Sequence, residues 1–219
     1  MLWIQPVDVV DMIWKGILVG VIVSAPMGPV GVLSVQRTLN KGRWFGFVTG
    51  VGAAFSDLIY ALITGFALSY VVEFIEKPQT MFLIQAFGSV LLFLFGCYTF
   101  FSKPATLRPA PKTKGSLVHN AVTAFFVTLS NPLIVFLFLG LFARFNFVVP
   151  NHLFEQTIGY LAIVGGALTW WFFLTSMVDK VRLRFNERGI WMINRIIGVV
   201  VMVASVVGFV MTITGKTLY

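Results

Sequence analysis

The sequence predicts an all-α integral membrane protein of six transmembrane helices, arranged as two inverted three-helix repeats with helices 1 and 4 broken at proline. Three observations carry that expectation. Of the 219 residues 58% are hydrophobic and only 11% charged, with 23 Phe, which leaves too little polar surface to cover a soluble domain. Apolar runs long enough to cross a bilayer, about 20 residues for roughly 30 Å of hydrocarbon, recur along the chain. Two of these runs are interrupted by proline near their middles, at matching places in the two halves.

The runs fall at 13–35, 45–72, 81–101, 117–142, 155–178 and 190–214. The loops after the first, third and fifth hold Arg37, Lys41 and Arg43, then Lys103, Arg108, Lys112 and Lys114, then Lys180, Arg182, Arg184 and Arg188. That is eleven of the 16 basic residues, against Lys15, Lys77, Arg144 and Lys216 on the opposite side and Arg195 at the start of the last run. Basic loops stay cytoplasmic, so both termini are expected outside. Residues 1–12 carry Asp8 and Asp11 and no basic n-region, so the first run reads as a retained span rather than a signal peptide.

The whole chain, 1–219, reads as one polytopic domain, with repeat 1 over about 13–101 and repeat 2 over about 117–214. Between them the stretch 102–116 mixes Pro104, Pro109 and Pro111 with lysines, the composition of a solvated, extended cytoplasmic linker. Three spans precede it, so the second half enters the membrane in the opposite sense to the first. Residue parallels support the repeat. Pro29 pairs with Pro132, the run Val51-Gly52-Ala53-Ala54-Phe55-Ser56-Asp57 with Val164-Gly165-Gly166-Ala167-Leu168-Thr169-Trp170, and Gln85-Ala86-Phe87-Gly88 with Asn194-Arg195-Ile196-Ile197-Gly198.

The formal net charge of +8 would suggest nucleic acid in a soluble protein, but here it is a property of loops, and a nucleic-acid partner is not expected. The single cysteine, Cys97, lies in an apolar run, so no intrachain disulfide or paired-thiol relay can form. His119 and His152 sit near opposite ends of the fourth run, too far apart for one metal site, and no cofactor or metal is expected.

The broken runs contain Ser24-Ala25-Pro26-Met27-Gly28-Pro29-Val30-Gly31 and Leu129-Ser130-Asn131-Pro132-Leu133. Hydrocarbon offers no water to the backbone groups that proline releases, so such a break is tolerated only where protein covers it or it lines a cavity. Breaks at corresponding positions of two repeats point to a midplane substrate site, and hence to a transporter. A half-helix starting at Pro29 presents free N–H groups to an anion such as a carboxylate, with Gly28 and Gly31 leaving room for its approach. Beside Pro132, Asn131 can both donate and accept, and Ser24 and Ser130 add hydroxyls. The competing account is a plain kink whose freed groups are satisfied by Ser, Thr or Asn.

Asp57 is the one acidic residue well inside a run. A carboxyl group at that depth is costly unless it faces protein or water, and such residues serve as proton relays, ion sites or substrate partners. The structural alternative is a protonated side chain bonding a neighbouring helix. Helical spacing puts Gly46, Thr49, Gly50, Ala53, Asp57, Tyr60 and Thr64 on one stripe, which turns the carboxyl towards the bundle. Trp170 and Trp171, with Tyr160, are candidates for an aromatic wall. Trp3, Trp14, Trp44, Trp191 and Tyr219 fit an interfacial belt.

Taken in order, the Ala25-Pro26-Met27-Gly28-Pro29 break, the basic loop with Arg37, Lys41, Gly42 and Arg43, the small-residue run ending at Asp57, and the Ser130-Asn131-Pro132 break before 139–145 resemble the LysE/RhtB family of amino-acid exporters. The likeness covers essentially the whole chain. It implies export of amino acids or small derivatives, driven by the proton gradient, across a bacterial cytoplasmic (inner) membrane. It also implies a substrate site at Pro26, Gly28, Pro29, Gly31, Ser130, Asn131 and Pro132, with Asp57 coupling to protons. Where family members often carry a Lys or another polar residue after the Asn-Pro pair, this chain has Leu133, Ile134, Val135, Phe136 and Leu137. No second acidic group is visible for a cationic substrate, so neutral or apolar amino acids are expected. Monomer and homodimer are both compatible with the sequence.

Two other readings remain open at this level. Divalent-metal efflux on the same architecture would want several oxygen ligands or clustered soft ones, which one buried Asp does not supply. An intramembrane enzyme would need a nucleophile with its base, and the runs offer no His or Cys in pattern with Asp57.

Overall fold

The computed structural model describes residues 8–74, 78–102, 116–149, 152–181 and 187–214. Eight α-helices and no strand occur among them: α1 Val9–Ser24, α2 Pro29–Lys41, α3 Arg43–Phe74, α4 Pro78–Phe101, α5 Leu117–Leu129, α6 Leu133–Phe145, α7 Leu153–Lys180 and α8 Glu187–Ile213. The helices α3, α4, α7 and α8 are each long and apolar enough to cross a membrane. The other four form two bent pairs, α1 with α2 at 79° and α5 with α6 at 75°, each passing the same test as a pair. The protein is a multi-pass, all-α membrane protein.

The helix ends correct several expected boundaries. The first helical segment begins at Val9 rather than at 13, because Asp8 caps it by accepting from the Val10 N–H at 2.9 Å. Asp11 and Lys15 pair across one turn at 2.6 Å, which lets two charged residues enter an otherwise apolar helix. Its continuation runs to Lys41, beyond the expected 35, because α2 is amphipathic and its polar residues Gln36, Arg37 and Asn40 lie on the less buried side. The second bent pair extends to Phe145, where Asn146 ends it in the left-handed conformation. Ser116 caps α5 by accepting from the His119 N–H. Residues 103–115, the core of the expected linker, lie outside the described residues, as do Trp3, Lys77, Arg182, Arg184, Lys216 and Tyr219.

Packing crosses the two halves of the chain. The helix α1 lies along α7, α5 along α3, and α4 along α8. Small residues make these approaches close enough for backbone contact: a Cβ on Gly20 would overlap the Ile163 carbonyl, and one on Gly52 would overlap that of Ala121. Two apolar clusters result. One gathers Met12, Val19, Phe138, Phe142, Phe147 and Ile163, with Phe142 and Phe147 stacked 4.4 Å apart. The other packs Val30, Val35, Ala53, Trp171, Leu174 and Ile190 around α2. Outward faces of α4 and α8 expose Leu83, Phe87, Leu94, Met192, Val200 and Val207, the surface expected against lipid.

Candidate functional site

Between the two clusters lies a cavity of about 460 Å³ where the two breaks meet α3, α4, α7 and α8. Its wall takes Ser24, Pro26, Met27, Gly28, Pro29 and Gly31 from the first break and Thr128, Asn131 and Leu133 from the second. The helix α3 contributes Ala53 and Asp57, α4 contributes Phe95, Tyr98, Thr99 and Ser102, α7 contributes Trp171, and α8 contributes Asn194. Much of the remaining lining is aliphatic, from Val23, Val30, Val32, Val127, Ile134 and Leu137. Tyr98, Gly28 and Pro29 are exposed, so the cavity reaches the protein surface there.

The local chemistry of the breaks follows from their prolines. Pro26 and Pro29 have no N–H to offer the preceding turn, so α1 stops at Ser24 and α2 restarts with Pro29 in its first position. The Gly28 N–H bonds the Pro26 carbonyl at 2.8 Å, and the Met27 N–H bonds Asn194 Oδ1 at 2.8 Å. No side chain caps α2, and the N–H groups of Val30 and Gly31 have no acceptor among the described residues. The second break is different. Asn131 Oδ1 accepts from the Leu133 N–H at 3.2 Å, and the Ile134 and Val135 N–H groups return to the carbonyls of Asn131 and Pro132. One break therefore presents an open helix N-terminus to the cavity, and the other caps itself.

Asp57 is buried at 4% exposure. Ser24 Oγ donates towards its Oδ2 at 3.4 Å, long for a bond between oxygens, and no ion pair with it occurs among the described residues. One turn further along α3, the Tyr60 hydroxyl donates to the Leu129 carbonyl. Ser24 and Leu129 are the last residues of α1 and α5, so one face of α3 touches both helices where they break. Thr99, Thr128 and Trp171 line the cavity, and Thr99 Oγ1, Thr128 Oγ1 and Trp171 Nε1 have no hydrogen-bond partner among the described residues. Buried polar groups are normally paired, so unpaired ones in residues that line a cavity leave places for a ligand or water.

Residues 21–213 match the family of LysE type translocators. The chain belongs to this family. A LysE type translocator is a transport protein, not an enzyme. The chain is also 26% identical over 191 residues to the "Putative amino acid efflux protein YcgF" of Bacillus subtilis (strain 168), an alignment spanning 85% of this chain and 90% of that one. No solved structure matches the chain.

In this translocator the geometry brings together Pro26, Gly28, Pro29, Gly31, Asn131 and Asp57 in one wall. Ser130 and Pro132 stand outside it: Ser130 is exposed with its hydroxyl returned to the Phe126 carbonyl at 2.8 Å, and Pro132 is the exposed residue preceding α6. Of the aromatic candidates, Trp171 lines the cavity with its ring against Gly50, whereas Trp170 does not, and Tyr160 packs with Phe142 and Phe147 in the apolar cluster. Thr99, Thr128 and Asn194 join the wall without having been expected there. The Thr residues carry no sequence signal, since Thr is common in membrane helices. Asn194 had one, as an amide near the start of the last apolar run, next to Arg195.

Proposed function

We propose that this LysE type translocator exports amino acids or small amino-acid derivatives, and that the cavity between the two breaks is where they bind. The observation that carries the reading is the junction of an open α2 N-terminus with the buried Asp57 in one mostly aliphatic cavity. Such a terminus suits a carboxylate, a carboxyl group suits an ammonium or a proton, and aliphatic walls suit an uncharged side chain. The printed name of the Bacillus relative points the same way. Neutral or apolar substrates fit best, because among the described residues the cavity wall holds no second acidic side chain and no basic one.

Coupling runs through protons, with Asp57 as the carrier. The site residues are Pro26, Gly28, Pro29, Gly31 and Asn131 at the cavity, with Ser130 and Pro132 shaping the second break from outside it. Six spans in two inverted repeats form the frame. That frame is supported by the two bent pairs and by the exchange in which the first half of each pair packs on the long central helix of the other half, α1 on α7 and α5 on α3. Both termini face outward, in the bacterial inner membrane. The Tyr98, Thr99, Ser102 and Asn194 side of the cavity, near the end of α4 and the start of α8, then faces the cytoplasm.

Metal efflux is the weaker reading. No group of three His, Cys, Asp or Glu side chains occurs among the described residues, and the groups around Asp57 are hydroxyls. The deciding experiment is uptake into inside-out vesicles over a panel of free amino acids with an imposed pH gradient. Accumulation of neutral amino acids that collapses with the gradient is expected. Metal accumulation without amino-acid transport would replace the reading.

A further inference from the structure

We propose that Asn194 is the positioning residue of the first break: from α8 its side-chain amide holds the Met27 N–H and thereby sets where the open end of α2 stands in the cavity. The inference rests on the reading of this cavity as the substrate site. Asn194 is 2% exposed, and both ends of its amide are engaged. Its Oδ1 accepts from Met27 at 2.8 Å, and its Nδ2 donates to Ser102 Oγ at 3.0 Å. Ser102 Oγ in turn donates to the Thr99 carbonyl at 2.9 Å. A continuous chain of hydrogen bonds thus runs from the break, through α8, to the end of α4.

The asymmetry of the two breaks gives this chain its meaning. The second break is capped by its own Asn131, two residues from the group it satisfies. The first break, with prolines at 26 and 29 and no capping side chain, hands its Met27 N–H to a helix 167 residues away. Gly28 and Pro29, next in the chain, are exposed, and the unpartnered N–H groups of Val30 and Gly31 follow. The local turn, closed by the Gly28 N–H on the Pro26 carbonyl, sets the shape of the segment, and the bond to Asn194 anchors that turn to the rest of the bundle and so to Asp57. Removing the acceptor leaves a buried N–H unpaired, which costs enough to drive the segment to a new position.

Two variants separate positioning from packing. Asn194→Leu keeps the branching and number of side-chain heavy atoms and removes both the acceptor for Met27 and the donor to Ser102; Asn194→Asp keeps an acceptor oxygen for Met27. In proteoliposomes the KM for the exported amino acid is expected to rise about tenfold in the Leu variant, with the maximal rate per folded protein within about threefold of wild type. The Asp variant restores the KM to within about threefold of wild type. A second readout needs no substrate. A Cβ at Gly28 meets nothing within 4 Å, so Gly28→Cys in a Cys97→Ala background accepts a thiol, and its maleimide reaction rate reports the position of the break. That rate is expected to change several-fold with Asn194→Leu and to return with Asn194→Asp. Unchanged labelling and unchanged KM in the Leu variant, with only less folded protein, would overturn the proposal. Altered labelling in a protein that transports no amino acid in its wild-type form would instead defeat the substrate reading and leave the positioning role standing.

Discussion

Asp57 owes its place to the small residues that share its stripe. Gly50 admits the Trp171 ring, Ala53 lies in the cavity wall, and the carboxyl meets Ser24 at the end of α1. If that carboxyl carries the coupling proton, Asp57→Asn locks in a mimic of the protonated state. Efflux driven by a pH gradient is then expected to fall to background while exchange of labelled substrate across the membrane persists. Loss of exchange as well would assign Asp57 to the substrate ammonium, because a neutral amide is a poor partner for a cation in a low-dielectric site. Tyr60 calls for its own measurement. Tyr60→Phe leaves the Leu129 carbonyl without its donor, and a loss of about 1–3 kcal/mol in unfolding free energy is expected from detergent melts.

The broken helices are held open by what their prolines withhold and by what their neighbours supply. Pro26 and Pro29 remove two donors within four residues, so a single substitution leaves one interruption in place. Transport per molecule is expected to drop at least about tenfold in the Pro26→Ala/Pro29→Ala double variant, the order of effect that a displaced binding group produces. Membrane levels should fall much less, and near-normal transport would leave the first break as a packing feature. Helix approach makes a separate demand. A Cβ on Gly52 would meet the Ala121 backbone, whereas one on Gly165 meets nothing within 4 Å. Gly52→Ala should therefore cost about 1–3 kcal/mol, as overpacking does, while Gly165→Ala is neutral or slightly stabilising in the same melts. Equal effects at the two sites would contradict the α3–α5 approach described above.

The arrangement of the entire chain turns on the distribution of its basic residues. Asn40, at the end of α2, and Leu153, at the start of α7, are both exposed and lie at opposite ends of the bundle. In a Cys97→Ala background, Leu153→Cys is expected to react with an impermeant thiol reagent in intact cells, and Asn40→Cys only after the cells are opened. Equal labelling of both would undo the outward assignment of the termini and remove the main support for an inverted repeat.

Composition, run length and proline position were enough to settle that this is an all-α membrane protein with two interrupted helices, because hydrocarbon imposes those requirements on any sequence. Order and spacing of the breaks, the basic loop and the Asp57 run were enough for the family. Helical periodicity also put Asp57 and Tyr60 on one inward face, since 3.6 residues per turn is a local property. Periodicity has no access to partners in other helices. It left Ser130 and Pro132 level with Asn131, although the local turn returns the Ser130 hydroxyl to its own helix and leaves only Asn131 in the wall. It puts the adjacent Trp170 and Trp171 on different faces of one helix without saying which face meets the cavity, and the contact with Gly50 selects Trp171. The use of Asn194 by Met27, and the difference between an open first break and a self-capped second one, belong to the tertiary structure. A hydrogen bond between residues far apart in sequence exists only once the helices that carry them have packed.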